Sequence, residues 1–140
     1  MSRAFVKERD DAPVTLPVTD APHDVTAAGL RRLRSRLAAA SDADRPALER
    51  RIGSARVAAP PEDPSSVAFG ATVTVRGAGG DRLVTLTGDD DIDIAQGRIG
   101  LDSPLARALL GRRAGQQTLW RRPAGNERLT IVALDYSELA

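Results

Sequence analysis

The sequence predicts an α+β chain, a short N-terminal antiparallel helical hairpin followed by a small antiparallel β-sheet domain with one short helix. Three observations lead there. Apolar residues recur three and four apart between residues 25 and 58, the period falls to two beyond a proline-rich stretch, and glycine-rich turns separate the alternating runs. A chain of 140 residues has room for one ordinary domain, or for one small domain with an appendage.

Residues 1–24 carry Pro13, Pro17 and Pro22 among many charges and no sustained apolar period, which predicts an extended or disordered arm. The helical hairpin is expected over residues 25–58. Thr26 can cap a first helix, with Val25 and Leu30 at the two positions of a hydrophobic staple. Leu30, Leu33 and Leu37 form one stripe, and the helix fades near Ala40. The polar run Ser41 to Arg45 makes a turn. Pro46 suits the first turn of a second helix, whose stripe is Leu48, Ile52 and Ala55. Residues 59–66, with Pro60, Pro61 and Pro64, form a linker that proline keeps out of helix.

The sheet domain is expected over residues 67–140. Thr72 to Val75 alternates, Gly77 to Gly80 turns the chain, and Arg82 to Thr87 returns. Gln117 to Arg121 and Leu129 to Tyr136 make a second hairpin about Pro123 to Asn126. Between the hairpins, Gly97 to Ile99 can add a fifth strand. Ser103 then caps a short helix that Pro104 opens and Gly111 ends.

Composition narrows the function. The chain has no cysteine, which excludes disulfides and thiolate metal sites, and His23 alone cannot make a histidine zinc cluster. No apolar run is long enough to span a membrane and no signal-peptide core opens the chain, so a cytoplasmic location is expected; a monomer is expected as well. The net charge of +1 hides an uneven distribution: eight arginines lie between Thr26 and Val57, and Asp89, Asp90, Asp91 and Asp93 form an acidic run. Separate blocks of opposite sign imply that the two parts face different surroundings, with the acidic run a solvated loop. It lacks the glycine and glutamate of an EF-hand.

The segment Ile99-Gly100-Leu101-Asp102-Ser103-Pro104-Leu105-Ala106-Arg107-Ala108-Leu109-Leu110-Gly111 resembles the signature of the C-terminal domain of bacterial Gre transcript-cleavage factors. Phe69 to Val75, the acidic loop Gly88 to Gly97, Gly115, and the closing hairpin from Pro123 to Tyr136 are similar to the same domain. Val25 to Leu33 is similar to the start of the family's N-terminal coiled coil. The resemblance implies an FKBP-like sheet domain, docking at the rim of the secondary channel of bacterial RNA polymerase, and an arm that enters the channel. Full-length Gre factors carry a long coiled coil whose acidic tip reaches the polymerase active centre and helps hold a catalytic magnesium. Here some 45 residues separate Thr26 from Ala71. In arm length the chain is similar to the regulators of nucleoside diphosphate kinase, Gre relatives with a stunted coiled coil.

Each candidate site carries two readings. Asp102, Ser103, Pro104 and Leu105 match the polymerase-docking segment; Ser103 and Pro104 also start a helix, and the two roles are compatible. Asp42 and Asp44 at the hairpin tip either contribute to magnesium binding or serve as turn and N-cap residues, the preferred reading. Arg31, Arg34, Arg45 and Arg51 form a basic arm that either meets RNA, DNA or a negative channel wall or is simply solvated. No catalytic residue, bound metal or cofactor is expected. Prolyl isomerase activity, known on FKBP-like folds, is rejected because the sheet domain offers only Phe69, Trp120 and Tyr136 as aromatics. The leading expectation is a polymerase-binding elongation modulator acting by occupancy. The alternatives are a factor that stimulates cleavage through Asp42 and Asp44, and an interaction module outside transcription.

Overall fold

A computed structural model describes residues 22–140. Residues 1–21 of the expected arm lie outside the described residues. Its last two residues are not loose: His23 and Asp24 belong to strand β1 (His23–Val25), which pairs in parallel with β2 (Ala55–Val57) at the root of the helical hairpin. The His23 amide donates to the Ser54 carbonyl at 3.1 Å, and the Ala58 amide to that of Val25 at 2.9 Å.

Helix α1 (Ala27–Ala38) begins as the sequence requires. Thr26 has extended backbone, and its hydroxyl accepts from the Gly29 amide at 2.8 Å. Val25, Ala28 and Leu33 are buried, and Leu30 and Leu37 are half-buried along the same stripe. After the turn, α2 (Arg45–Gly53) opens with Pro46 in its first turn and buries Leu48 and Arg51. With 12 and 9 residues, the helices are about 18 and 13 Å long.

The sheet domain is a five-stranded sheet in the order β5 (Arg98–Gly100), β4 (Gly80–Thr87), β3 (Thr72–Gly77), β7 (Glu127–Asp135), β6 (Gln117–Trp120). Strands β3 and β4 form the first expected hairpin, and β6 and β7 the second. They join through the antiparallel pairing of β3 with β7, whose register shifts once between Thr74 and Val75. The fifth strand, β5, runs parallel to β4 because the acidic segment carries the chain back before it pairs. The sheet is therefore antiparallel-rich rather than purely antiparallel.

The period of two places one side chain in each pair on the core face. Val73 and Val75, Val84 and Leu86, and Leu129 and Ile131 are buried there. Helix α3 (Pro104–Leu109) covers that face with Leu105, Ala106 and Leu109. Its end is fixed twice. Gly111 takes positive φ (82°), which glycine adopts without a Cβ penalty, and the Thr118 hydroxyl donates to the Ala108 carbonyl at 2.7 Å. The linker is tied down as well: the Val67 amide donates to the Arg112 carbonyl, and Tyr136 donates its hydroxyl hydrogen to the Ser66 carbonyl.

Candidate functional site

Strand β5 delivers the chain into a turn formed by Leu101, Asp102 and Ser103, and α3 follows at once. The Ser103 hydroxyl donates to the Gly100 carbonyl at 2.9 Å and accepts from the Ala106 amide at 3.2 Å, so one side chain closes the turn and caps the helix. Asp102 and Pro104 are exposed on this rigid corner and Ser103 is half-buried. Leu105 lies inside the core cluster; it anchors the corner from within and is not part of its outer surface. The carboxylate of Asp102 makes no hydrogen bond or ion pair among the described residues.

The acidic run is only partly the solvated loop expected of it: Asp89 is exposed and Asp93 half-buried, but Asp90 and Asp91 are enclosed. Residues Asp89–Asp91 form a 3-10 turn beneath the helical hairpin, and the hairpin's arginines converge on it. Asp90 is 7% exposed and Arg51 only 4%. The Arg51 Nε donates to both Asp90 oxygens, at 3.1 and 2.9 Å. His23 adds its Nε2 3.1 Å from Asp90 Oδ2, off the line of a good hydrogen bond, while its Nδ1 stands 3.3 Å from the Ser54 hydroxyl. The Arg36 guanidinium donates to the Asp90 carbonyl at 3.0 Å.

Asp91 is held in a second cluster. Arg32 grips it bidentately, Nε to Oδ1 at 2.7 Å and Nη2 to Oδ2 at 2.6 Å, and reaches Glu138 with Nη2 at 2.7 Å. Hydrogen bonding to Asp91, then to Glu138, raises the Arg32 pKa above the ordinary arginine value despite partial burial. The Thr87 hydroxyl donates to Asp91 Oδ2 at 2.9 Å, and Arg98 donates to the Asp91 carbonyl at 2.9 Å. Close approach requires a glycine beside these charges: a Cβ on Gly88 would stand 2.7 Å from the Asp24 carbonyl oxygen of β1.

These contacts correct two expectations. The basic and acidic blocks do not face different surroundings; they face each other and latch the hairpin to the sheet. Arg51 is consequently no part of a free basic arm. It occupies an inward position beside Leu48 on α2, where burial of a guanidinium requires a carboxylate, and Asp90 supplies it. Arg45 is half-buried and donates to the Ala40 carbonyl at 3.3 Å, whereas Arg31 and Arg34 are exposed.

At the tip, Asp42 and Asp44 are exposed. Asp44 stands at the N-cap position of α2, but its backbone is helical and its side chain accepts no capping bond; the turn is closed instead by the Asp44 amide donating to the Ser41 carbonyl at 3.1 Å. The expected N-cap role is thus not made by the carboxylate. Among the described residues no three His, Cys, Asp or Glu side chains group as a metal site, and no helix is long and apolar enough to cross a membrane.

A short capped helix over an antiparallel-rich sheet, with a helical hairpin joined at its root, defines a small α+β protein. The family model for the C-terminal part of the transcription elongation factors GreA/GreB matches residues 61–136, and the chain belongs to that family. It is 39% identical over 77 residues to transcription elongation factor GreB of Pseudomonas aeruginosa, covering 54% of this chain and 46% of that protein. Over 77 residues it is 40% identical to GreA of Vibrio cholerae, covering 54% and 49%. Among solved structures, a prokaryotic GreA/GreB elongation factor from Nitrosomonas europaea aligns over 82% of this chain and 98% of that one, with 28% identity and a TM-score of 0.47. The chain spans about half the length of the curated relatives it matches.

Proposed function

We propose that the chain binds bacterial RNA polymerase through the corner at Asp102–Pro104 and modulates elongation by occupying the secondary channel with its helical hairpin. The observation that carries this reading is the pairing of an exposed, internally unpartnered Asp102 on a rigid capped corner with a hairpin of only 12 and 9 helical residues latched to the same domain. A carboxylate displayed without an internal partner gives an oriented contact for a basic surface. A finger of about 18 Å is short for reaching a catalytic centre along a channel.

Competition with a full-length GreA or GreB for core polymerase tests it. The parent chain should compete, Asp102→Ala and Pro104→Ala should weaken competition about tenfold, and failure of the parent to compete removes the proposal. If the two substitutions instead leave partner binding untouched, a module outside transcription is the better account.

A second reading, stimulation of the polymerase's own transcript cleavage, is favoured by one feature: both tip carboxylates, Asp42 and Asp44, are in solvent and uncommitted to capping. A cleavage assay on backtracked complexes separates the two. Cleavage by the parent that disappears with Asp42→Asn and Asp44→Asn supports this reading; no cleavage, or cleavage unchanged in the double variant, counts against it.

A further inference from the structure

Arg107 on α3, Arg112 just beyond it and Arg121 at the end of β6 wall one open groove of about 510 Å³, with Pro104, Ala108, Leu119 and Thr118 forming the rest of its lining. All three arginines are exposed, and their side chains make no hydrogen bond or ion pair among the described residues. Their immediate neighbours behave differently. Arg113 is held by Asp63 at 2.6 Å, and Arg122 by Glu127 at 3.1 Å while stacking over Trp120 at 4.7 Å. Of each adjacent pair, Arg112 with Arg113 and Arg121 with Arg122, one guanidinium is used internally and the other is left at the groove. Three like charges gathered without a counter-charge repel one another in the free protein and create a field suited to an anionic partner.

The lining selects which anion. Leu119, Pro104 and Ala108 offer small apolar surface, and no aromatic face lines the groove; the one tryptophan nearby, Trp120, is covered by Arg82 at 5.0 Å as well as by Arg122. Bases of a single strand would find no stacking platform there, whereas an acidic polypeptide segment with a small apolar side chain among its carboxylates fits both the charge and the floor. The groove also begins at Pro104, so a partner seated on the Asp102–Pro104 corner lies at its mouth.

We propose that the groove receives an acidic segment of the same protein partner that the corner binds. Asp102 and the arginine groove then make a docking surface of two opposite signs, which accepts a basic group beside an acidic stretch in one orientation only. This inference rests on the docking reading above and adds the chemistry and polarity of the contact.

The test is binding of the full chain to core polymerase, with and without nucleic acid, as a function of salt. The parent is expected to bind in both cases. Arg107→Gln, Arg112→Gln and Arg121→Gln together should weaken binding to nucleic-acid-free core enzyme by about tenfold to a hundredfold and flatten its salt dependence. Because all three side chains are exposed and removing them relieves their mutual repulsion, the melting temperature should not fall; the charge reversals Arg107→Glu and Arg121→Glu should weaken binding further. Parent-like affinity and salt slope in the triple variant would overturn the assignment while leaving the docking reading intact. A loss confined to complexes carrying RNA or DNA would overturn it in favour of phosphate contacts. A parent chain that does not bind core enzyme would remove the docking reading, and the groove's role with it.

Discussion

Replacing Asp90 with alanine leaves the Arg51 guanidinium, 4% exposed, without the carboxylate that now lies 2.9 Å from its Nε. Removing one partner of a buried ion pair costs about 3–5 kcal/mol, because the remaining charge stays desolvated. His23 loses its neighbour at 3.1 Å in the same step, although the Arg36 contact to the backbone carbonyl survives. For a chain of this size each kcal/mol displaces the melting temperature by roughly 3–5 °C, so a fall of about 10–20 °C is expected. Circular dichroism follows the helices and Trp120 fluorescence follows the sheet, and urea titration with both probes gives the free energy directly. The double variant Asp90→Ala with Arg51→Met replaces both charges with apolar groups and should recover most of the loss. A single Asp90→Ala variant within about 1 kcal/mol of the parent would refute the claim that this pair holds the hairpin to the sheet.

Three further outcomes follow from the same structure. Gly29→Ala would ordinarily stabilise a helix by up to about 1 kcal/mol, but the new Cβ would stand 2.9 Å from the Thr26 cap hydroxyl and 3.1 Å from Asp91 Oδ2, so denaturant titration should show a net loss. Thr118→Val leaves the Ala108 carbonyl without its donor and should cost about 1–2 kcal/mol in the same titration. Burial pushes the Tyr136 hydroxyl above the usual tyrosine value, helped by the charge of Asp63. Its stabilising contribution is therefore complete below the unfolded tyrosine pKa of about 10 and is lost as pH rises through the higher folded value. Spectrophotometric titration should find this single tyrosine ionising late, and Tyr136→Phe should reduce the loss of stability in that alkaline window.

Much of the fold was legible because it rests on local rules. Thr26 and Ser103 cap their helices as their positions require, Pro46 and Pro104 sit in first turns, and the alternation in Thr72 to Val75 and Leu129 to Ile131 sorts side chains between two faces. The capped corner at Ser103 and Pro104 was legible for the same reason, whereas Leu105 turned inward to the core. What escaped the sequence was pairing between distant segments. Arg32 and Asp91 are 59 residues apart and Arg51 and Asp90 are 39 apart, and no periodicity links such positions. One signal was present. Arg51 falls three residues after Leu48, on the apolar stripe of α2, and a guanidinium there demands a carboxylate, for which the acidic run was a natural source. The groove at Arg107, Arg112 and Arg121 escaped because α3 and β6 meet only in three dimensions, through Thr118 and Ala108.

The clamp between the two charge blocks runs along the hairpin: Arg32 grips Asp91 from the middle of α1, Arg36 reaches the Asp90 carbonyl from its last turn, and Arg51 holds Asp90 from near the end of α2, while residues 39–44 at the tip take no part. The hold on the sheet and the length of the hairpin beyond Arg36 are thereby separate properties of this molecule. Inserting seven residues into each helix between clamp and tip would lengthen the projection by about 10.5 Å while nearly preserving its helical phase. Evolution or design can change the length of such a hairpin without loosening its hold on the sheet.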